Sequence, residues 1–482
     1  MTERGRPTIV VLAAPRSGSS WLGSMLRDTG VLGVCREWLT GLAYPTFQHR
    51  FPLPPPGPAQ ADAFRTALLV AGSTPNGASA VKIVTSTLDA LPPLVAQWGV
   101  GDGAGDRWIE DLFPQAVVVV LRRLDEIGQA LSWWRARHTG EFVRPSGSDG
   151  SWPAYDFSSL QDALRESRGH SARLEIASAA LRGRPGIRVL DANYEDLEQS
   201  PAETVRAIAA LVGIDLPPSW TPRSELSKQR DATTDRLRER FLADLAVARP
   251  STLQPARATL PSKPPLVPDS AEGVLALGHR RFIGGEGAHW DLIGRLQFDF
   301  LVRAGLRPNH VLLDIACGAL RGGTHFIPYL DAGNYVGLDR LVDLIILGVA
   351  EELGTERFRE KRPRFLVNGR FDLSGMHAAP DFALAQSLFT HLTHDDIASV
   401  FAALAPHAKS TTRFFATYLP RGADDDANPD ASHSRLVFRQ TPAELSGLAA
   451  RHGWTMRAIG EWGHPRGQHI AEFVRQAPSA AR

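Results

Sequence analysis

Hydrophobic positions recur along this chain in two patterns: short continuous runs rich in β-branched residues, and segments where apolar residues return every three or four positions. In the first half the continuous runs fall at residues 9–12, 80–84, 115–121 and 187–190. Runs that are apolar on both faces are what a parallel sheet covered on both sides requires. Between them, Leu22, Met25 and Leu26, the segment carrying Gln129, Ser132, Trp133 and Trp134, and residues 201–212 read as helices. Strands alternating with helices predict a doubly wound α/β domain. The second half shows the same alternation. Residues 311–315 and 335–339 read as strands with a helix between them. The halves share this α/β pattern but no internal repeat.

The segment 249–268 holds six prolines, which forbid a helix or central strand and give a semi-rigid spacer. The division expected is therefore a domain at 1–248, a proline-rich linker at 249–271 and a second domain at 272–482. A chain of 482 residues is long enough for two or three separate cores. Lys plus Arg number 53 against 52 Asp plus Glu, so neither nucleic acid nor a membrane surface is suggested as a partner, and small molecules are. Only Cys35 and Cys317 are present, which argues against a disulfide framework and a Cys-rich zinc site, and suits a reducing, cytoplasmic interior. The first apolar run is too short for a signal peptide, and none approaches the ~20 residues of a membrane span.

The first run leads into Pro15-Arg16-Ser17-Gly18-Ser19-Ser20-Trp21. A loop of small residues opening a helix presents backbone N–H groups and the positive end of the helix dipole, a phosphate cradle. Arg16 adds a cation and Ser19 and Ser20 add hydroxyls. The triphosphatase pattern G-x-x-x-x-G-K-[ST] is not met, since Trp21 rather than Lys follows the loop, so a magnesium-dependent kinase is disfavoured. An ordinary strand-turn-helix connection is the bland alternative. Glu37 follows soon after and could act as a general base on an acceptor hydroxyl, although a surface glutamate is the commoner case. Lys82 sits inside a strand and should lie near solvent or an anion. Arg122 and Arg123 end the run 115–121, where open α/β sheets bind ligands. Residues 39–58 read as irregular loop, and Lys228-Gln229-Arg230 as either a nucleotide-closing segment or a basic turn.

The ordered motifs P-R-S-G-S-S-W-L, G-V-C-R-E-W, L-R-R-L-D-E-I-G-Q-A-L-S-W-W and Y-E-D-L-E-Q-S-P resemble the bacterial trehalose 2-sulfotransferases over roughly residues 7 to 245. The resemblance implies a P-loop-like parallel-sheet sulfotransferase domain using 3′-phosphoadenosine 5′-phosphosulfate (PAPS). It implies that Arg16, Ser17, Gly18, Ser19, Ser20 and Trp21 hold the 5′-phosphosulfate, and that Arg122 or Arg123 with Ser132 holds the 3′-phosphate. Glu37 matches the proposed base, with Arg16 and Lys82 neutralising charge on the leaving phosphate.

In the second half, residues 311–318 read as a buried strand turning through a small-residue loop, with Leu320-Arg321-Gly322-Gly323 opening a helix and Asp339 ending the next strand. Ala319 follows Gly318, so G-x-G-x-x-G is incomplete and a dinucleotide is disfavoured. A βαβ unit without ligand is the bland alternative. The pattern D-x-x-C-G-x-x-R-G-G, with the later stretches around Asp372, Gln386 and Gly463-His464-Pro465-Arg466, resembles class I S-adenosylmethionine (SAM) methyltransferases over roughly residues 272 to 475. The resemblance implies a Rossmann-like domain in which Asp314, Ala316, Gly318, Arg321 and Gly322 approach the methionine part of the donor. Asp339 and Arg340 would meet the ribose, Asp372 the adenine edge, and Gln386 and Ser387 the methyl group. The [DNS]-P-P-[YFW] signature of DNA amino-methyltransferases is absent, which favours a small-molecule acceptor.

The expectation is a bifunctional transferase of secondary metabolism, PAPS- and SAM-dependent, needing no metal, with a homodimer among the assemblies it admits. The rival is that one half binds or scaffolds without chemistry. His391 and His394 lack further metal ligands at the right spacing and read as capping or surface residues. Asp424-Asp425-Asp426 reads as a solvated loop, Trp133, Trp134 and Trp462 as core or pocket aromatics, and His464 with Arg466 as a lid over the methyl site.

Overall fold

A computed structural model describes residues 7–44, 51–101, 103, 105–142, 151–224, 226, 231–247, 269–285 and 287–475. Most of the expected linker and the Lys228-Gln229-Arg230 segment lie outside the described residues. The chain divides into two compact units, Met1–Thr259 and Leu260–Arg482.

The first unit is built on a four-stranded parallel sheet of β1 (Thr8–Ala13), β2 (Ala80–Val84), β3 (Ala116–Arg122) and β4 (Arg188–Asn193), in the order β2-β1-β3-β4. Every residue of β1, β2 and β3 is buried, as continuous β-branched runs demand. The two faces of β3 feed different cores: Val118 and Val120 pack with Trp108, Leu112 and Leu174, whereas Val117, Val119 and Leu121 pack with Leu22, Met25 and Ile208. The chain crosses from β2 on one side of β1 to β3 on the other, which opens a crevice at the carboxyl ends of β1 and β3. Helix α1 (Ser19–Asp28) begins in that crevice. The helix Glu126–Thr139, capped by the Asp125 carboxylate on the Gly128 N–H, follows β3. Residues 39–58, read as irregular, include the short helix Thr40–Ala43.

The second unit holds β5 (Leu312–Ile315), β6 (Tyr335–Asp339), β7 (Arg364–Val367), β8 (Phe382–Ala385), β9 (Arg413–Pro420), the short β10 (Arg439–Gln440), β11 (Trp454–Glu461) and β12 (His469–Arg475). Their order is β11-β12-β9-β8-β5-β6-β7, with β10 beside β9. Neighbours are parallel except β12, which runs antiparallel to both β9 and β11. This is a Rossmann-like sheet carrying one reversed strand. Its switch point lies between β5 and β8, so the loops after β5, β6 and β8 meet over one crevice. Among the described residues no helix is long and apolar enough to cross a membrane.

Candidate functional sites

In the first unit the loop after β1 is shaped by two left-handed residues, Arg16 (φ 64°) and Gly18 (φ 85°). Glycine is required at 18: a Cβ there would lie 2.6 Å from Cδ2 of Tyr194. The turn brings Arg16 back over β3's end, where its Nε donates to Ser132 Oγ at 2.9 Å and it also bonds the Phe142 carbonyl. Arg123 donates to the Arg16 carbonyl at 3.2 Å and lies over the Tyr194 ring at 4.8 Å, while its buried Nε has no hydrogen-bond partner among the described residues. Burial, with Arg123 and Arg135 nearby, lowers the Arg16 guanidinium to about 10. Crowded, poorly hydrated cations at a helix N-terminus are relieved by a bound anion, so the residues present fit a phosphorylated donor.

Opposite, Arg36 pairs with Val81 as one residue of added strand, and the Lys82 N–H donates to the Arg36 carbonyl at 2.9 Å. This places Glu37 beside Lys82: Nζ is 2.6 Å from Glu37 Oε1 and donates to Ser20 Oγ at 2.9 Å. Thr40 Oγ1 donates to the second Glu37 oxygen at 3.1 Å. Carboxylate, lysine and loop hydroxyl thus form one chain leading to the anion cradle.

Two expected donor contacts are placed elsewhere. Arg122 faces away from the loop: its Nε and NH1 meet Glu175 at 2.7 Å and Asp191 at 2.5 Å. Successive strand residues point to opposite faces, and Arg122 shares the face of Val118 and Val120, covered by the helix Phe157–Leu181 that carries Glu175. Arg123 is therefore the arginine brought to the loop. The Ser17 hydroxyl is fully buried and donates to the Ala14 carbonyl at 2.8 Å, so it braces the turn. Ser19 is buried in the first turn of α1, and Trp21 packs against Tyr194 at 6.3 Å between ring centres. Tyr194 and Arg135 are contributors that the pattern did not single out; Tyr194 could have been suspected as an aromatic directly after β4.

In the second unit a cavity of about 520 Å³ opens over β5, β6 and β8. Its wall includes Asp314, Ala316, Gly318, Arg321, Gly322, Asp339, Arg340, Gln386 and Ser387. Ala316, Gly318 and Ser387 have positive φ, folding the loops after β5 and β8 tightly against the space. Asp339 at the end of β6 accepts from the Gly318 N–H at 2.8 Å and the Leu341 N–H at 2.9 Å. Asp314 accepts from the Tyr335 hydroxyl at 2.7 Å. Burial, with Asp339 near, pushes the Asp314 carboxyl up to about 7. A buried carboxyl held this high gains from a bound cation, so the wall fits the ammonium and sulfonium groups of SAM.

Asp372 departs from the expected place. It is exposed, outside the cavity wall, and its carboxylate caps the Ser374 N–H at 2.8 Å. Its neighbours Asn368, Gly369 and Phe371 line the cavity instead, because Phe371 at φ 57° turns the chain before the acid is reached. His464, expected in a lid, is buried: Gln386 Nε2 lies 3.1 Å from its Nε2, and Gln386 Oε1 accepts from Arg321 at 2.7 Å. Burial, then Arg321 and Arg466, lowers the His464 imidazole to about 4. Arg466 bonds the Gly284 carbonyl. Thr393, between the two histidines noted above, caps the helix His394–Leu404, and His391 Nδ1 lies 2.7 Å from the Leu436 carbonyl. The wall also takes Asp269 and Arg435 from distant loops, which carried no periodic or motif signal.

The fold and the anion loop of the first unit coincide with a family match: residues 8–244 match the family model of the Stf0 sulphotransferases, so the first unit carries a sulfotransferase domain. Among curated proteins, the trehalose 2-sulfotransferase of Mycobacterium tuberculosis is 29% identical over 266 residues, covering 51% of this chain and 97% of that protein. Among solved structures, magnesium protoporphyrin IX methyltransferase from Synechocystis PCC 6803 with bound SAH matches at 14% identity and a TM-score of 0.33, covering 42% of this chain and 95% of that one. The CcbJ methyltransferase from Streptomyces caelestis matches at 13% identity and a TM-score of 0.30, covering 38% and 90%.

Proposed function

We propose that the chain is a bifunctional transferase: the first unit moves a sulfuryl group from PAPS to a hydroxyl of a small molecule, and the second moves a methyl group from SAM to the same or a pathway-related molecule. The observation that carries this reading is that each unit has its own donor-type site at its own sheet switch point. One is cationic, around Arg16 and Arg123; the other holds the buried acids Asp314 and Asp339.

In the first unit Glu37 takes the acceptor proton while Lys82, 2.6 Å away, holds the carboxylate in place and faces the loop through Ser20. Arg16, Arg123, Ser132 and the α1 N–H groups bind the phosphates, and PAPS supplies the sulfuryl group. Transfer of this kind depends on in-line positioning and charge stabilisation. In the second unit Asp339 orients the donor ribose and Asp314 faces its cationic end. SAM supplies an activated methyl group, so alignment by Gln386 and Ser387 is the principal demand.

Isothermal titration of the full chain with adenosine 3′,5′-bisphosphate and with S-adenosylhomocysteine tests the reading. One site for each is expected, with Arg16→Ala weakening only the first and Asp339→Ala only the second. A chain that binds one ligand alone has a silent unit, and the bifunctional reading falls.

A further inference from the structure

The cavity of the second unit has more positive charge than a methyl donor can use. Four arginines line it, Arg321, Arg340, Arg435 and Arg466, with the acids Asp269, Asp314, Asp339 and Asp396. Arg340 pairs with Asp269. Asp339 is engaged by backbone N–H groups, and the Asp396 carboxylate accepts from the Thr393 and Ser432 hydroxyls. Asp314 holds its proton up to about 7.

Among the described residues, no carboxylate lies within ion-pair distance of Arg321, Arg435 or Arg466. Arg321 is only 7% exposed; its NH2 donates to Gln386 and its Nε has no partner. Arg435 likewise has an unpartnered buried Nε and NH2. Arg321 and Arg466 lean on the same turn: a Cβ on Gly284 would meet Arg466 at 2.6 Å, and one on Gly285 would meet Arg321 at 3.2 Å. Burial first, then Arg321 and Arg466, lowers the proton affinity of His464, so the imidazole stays neutral. A buried cation such as Arg321 is costly unless paired, and the exposed Arg466 against the same turn adds a second positive charge. SAM has two positive groups and one carboxylate, a net charge of plus one, so its arrival adds to the excess.

We propose that the methyl acceptor is an anion, a small molecule whose sulfate-ester or carboxylate group docks between Arg321 and Arg466. The inference rests on the methyl-donor reading of this cavity. A sulfate monoester is also the class of product that sulfuryl transfer to a hydroxyl makes, so preference for it orders the two reactions: sulfation first, methylation second. Preference for a carboxylate leaves the order free.

The test is calorimetric and uses the full chain. S-adenosylhomocysteine is titrated first; its failure to bind wild-type protein removes the methyl-donor reading itself, and the inference with it. The protein is then saturated with that ligand and with adenosine 3′,5′-bisphosphate, which occupies the first unit, and titrated with ethyl sulfate or with propionate. At least one probe is expected to bind, and Arg466→Met, on an exposed turn and given no donor contact, to weaken it tenfold or more while S-adenosylhomocysteine affinity stays within threefold. Circular dichroism checks that Arg466→Met folds, and Arg466→Lys, which keeps the positive charge, is expected to retain most of the probe affinity. Absence of binding by either probe, or equal binding by Arg466→Met, overturns the proposal. Loss of S-adenosylhomocysteine affinity in Arg466→Met also overturns it, because Arg466 then serves the donor carboxylate.

Discussion

At Glu37 the two carboxylate oxygens have separate tasks, one on Lys82 at 2.6 Å and one on the Thr40 hydroxyl at 3.1 Å. Replacing the charge while keeping the shape isolates the proton-accepting role. Glu37→Gln is expected to slow sulfuryl transfer by about 10²–10⁴-fold, the usual worth of a positioned base, with adenosine 3′,5′-bisphosphate affinity unchanged by titration. Asp314 makes a prediction of a different kind. Its carboxyl titrates near 7 when folded and at 3.8 when free. Between those values the folded state holds a proton that the unfolded state has lost, so this group's contribution to the second unit's stability falls as pH rises from about 4 to 7. A donor cation favours the charged form. S-adenosylhomocysteine affinity should therefore rise as pH increases from 6 to 8, and Asp314→Asn should flatten that rise; a flat wild-type profile would show that no ligand cation faces Asp314.

At the scale of the element, β3 decides which of two adjacent arginines is structural and which faces the loop. Arg122 lies on the face covered by the helix Phe157–Leu181, paired with Glu175 whose side chain is 4% exposed. Removing it strands a buried carboxylate, and Arg122→Met should destabilise the unit by about 3–5 kcal/mol, measured by chemical denaturation. Arg123→Met should leave stability nearly unchanged and instead weaken adenosine 3′,5′-bisphosphate by an order of magnitude or more. The sequence made β3 itself legible, because a run of six apolar, mostly β-branched residues, Ala116 to Leu121, has few other fates. It could not say which arginine turns toward the loop, because pleat phase acquires meaning only once a helix covers one face. The same limit explains Asp372. The left-handed turn at Phe371 that carries the acid away from the cavity is a loop property without periodicity. Arg435 and Asp269 reach the methyl-donor cavity from loops 166 residues apart in the numbering, and only closure of the sheet brings them together. By contrast Arg16, Gly18, Asp314, Gly318 and Asp339 were readable because each stands at a fixed offset from a buried strand's end, where open sheets gather their ligands.

For the whole molecule, the two units have separate sheets and separate cores. The first is centred on Val118, Trp108 and Leu174 with Val119 and Ile208 on the opposite face; the second is centred on Phe401, Phe414 and Trp454. Separate cores of this size are expected to unfold as separate cooperative transitions. A ligand that binds only the folded state, at about 100 times its dissociation constant, stabilises its unit by roughly 2.7 kcal/mol. For a unit of this length that is a rise of ~5–11 °C in the transition temperature. Scanning calorimetry of the full chain should therefore show two transitions, one raised by adenosine 3′,5′-bisphosphate alone and the other by S-adenosylhomocysteine alone. A single transition raised by either ligand would mean that the units unfold as one body, and binding at one donor site would then be coupled thermodynamically to stability at the other. On the bifunctional reading, two independently responding transitions leave the link to chemistry: a product of one unit recognised by the other, a role Arg321 beside Gln386 is charged to fill.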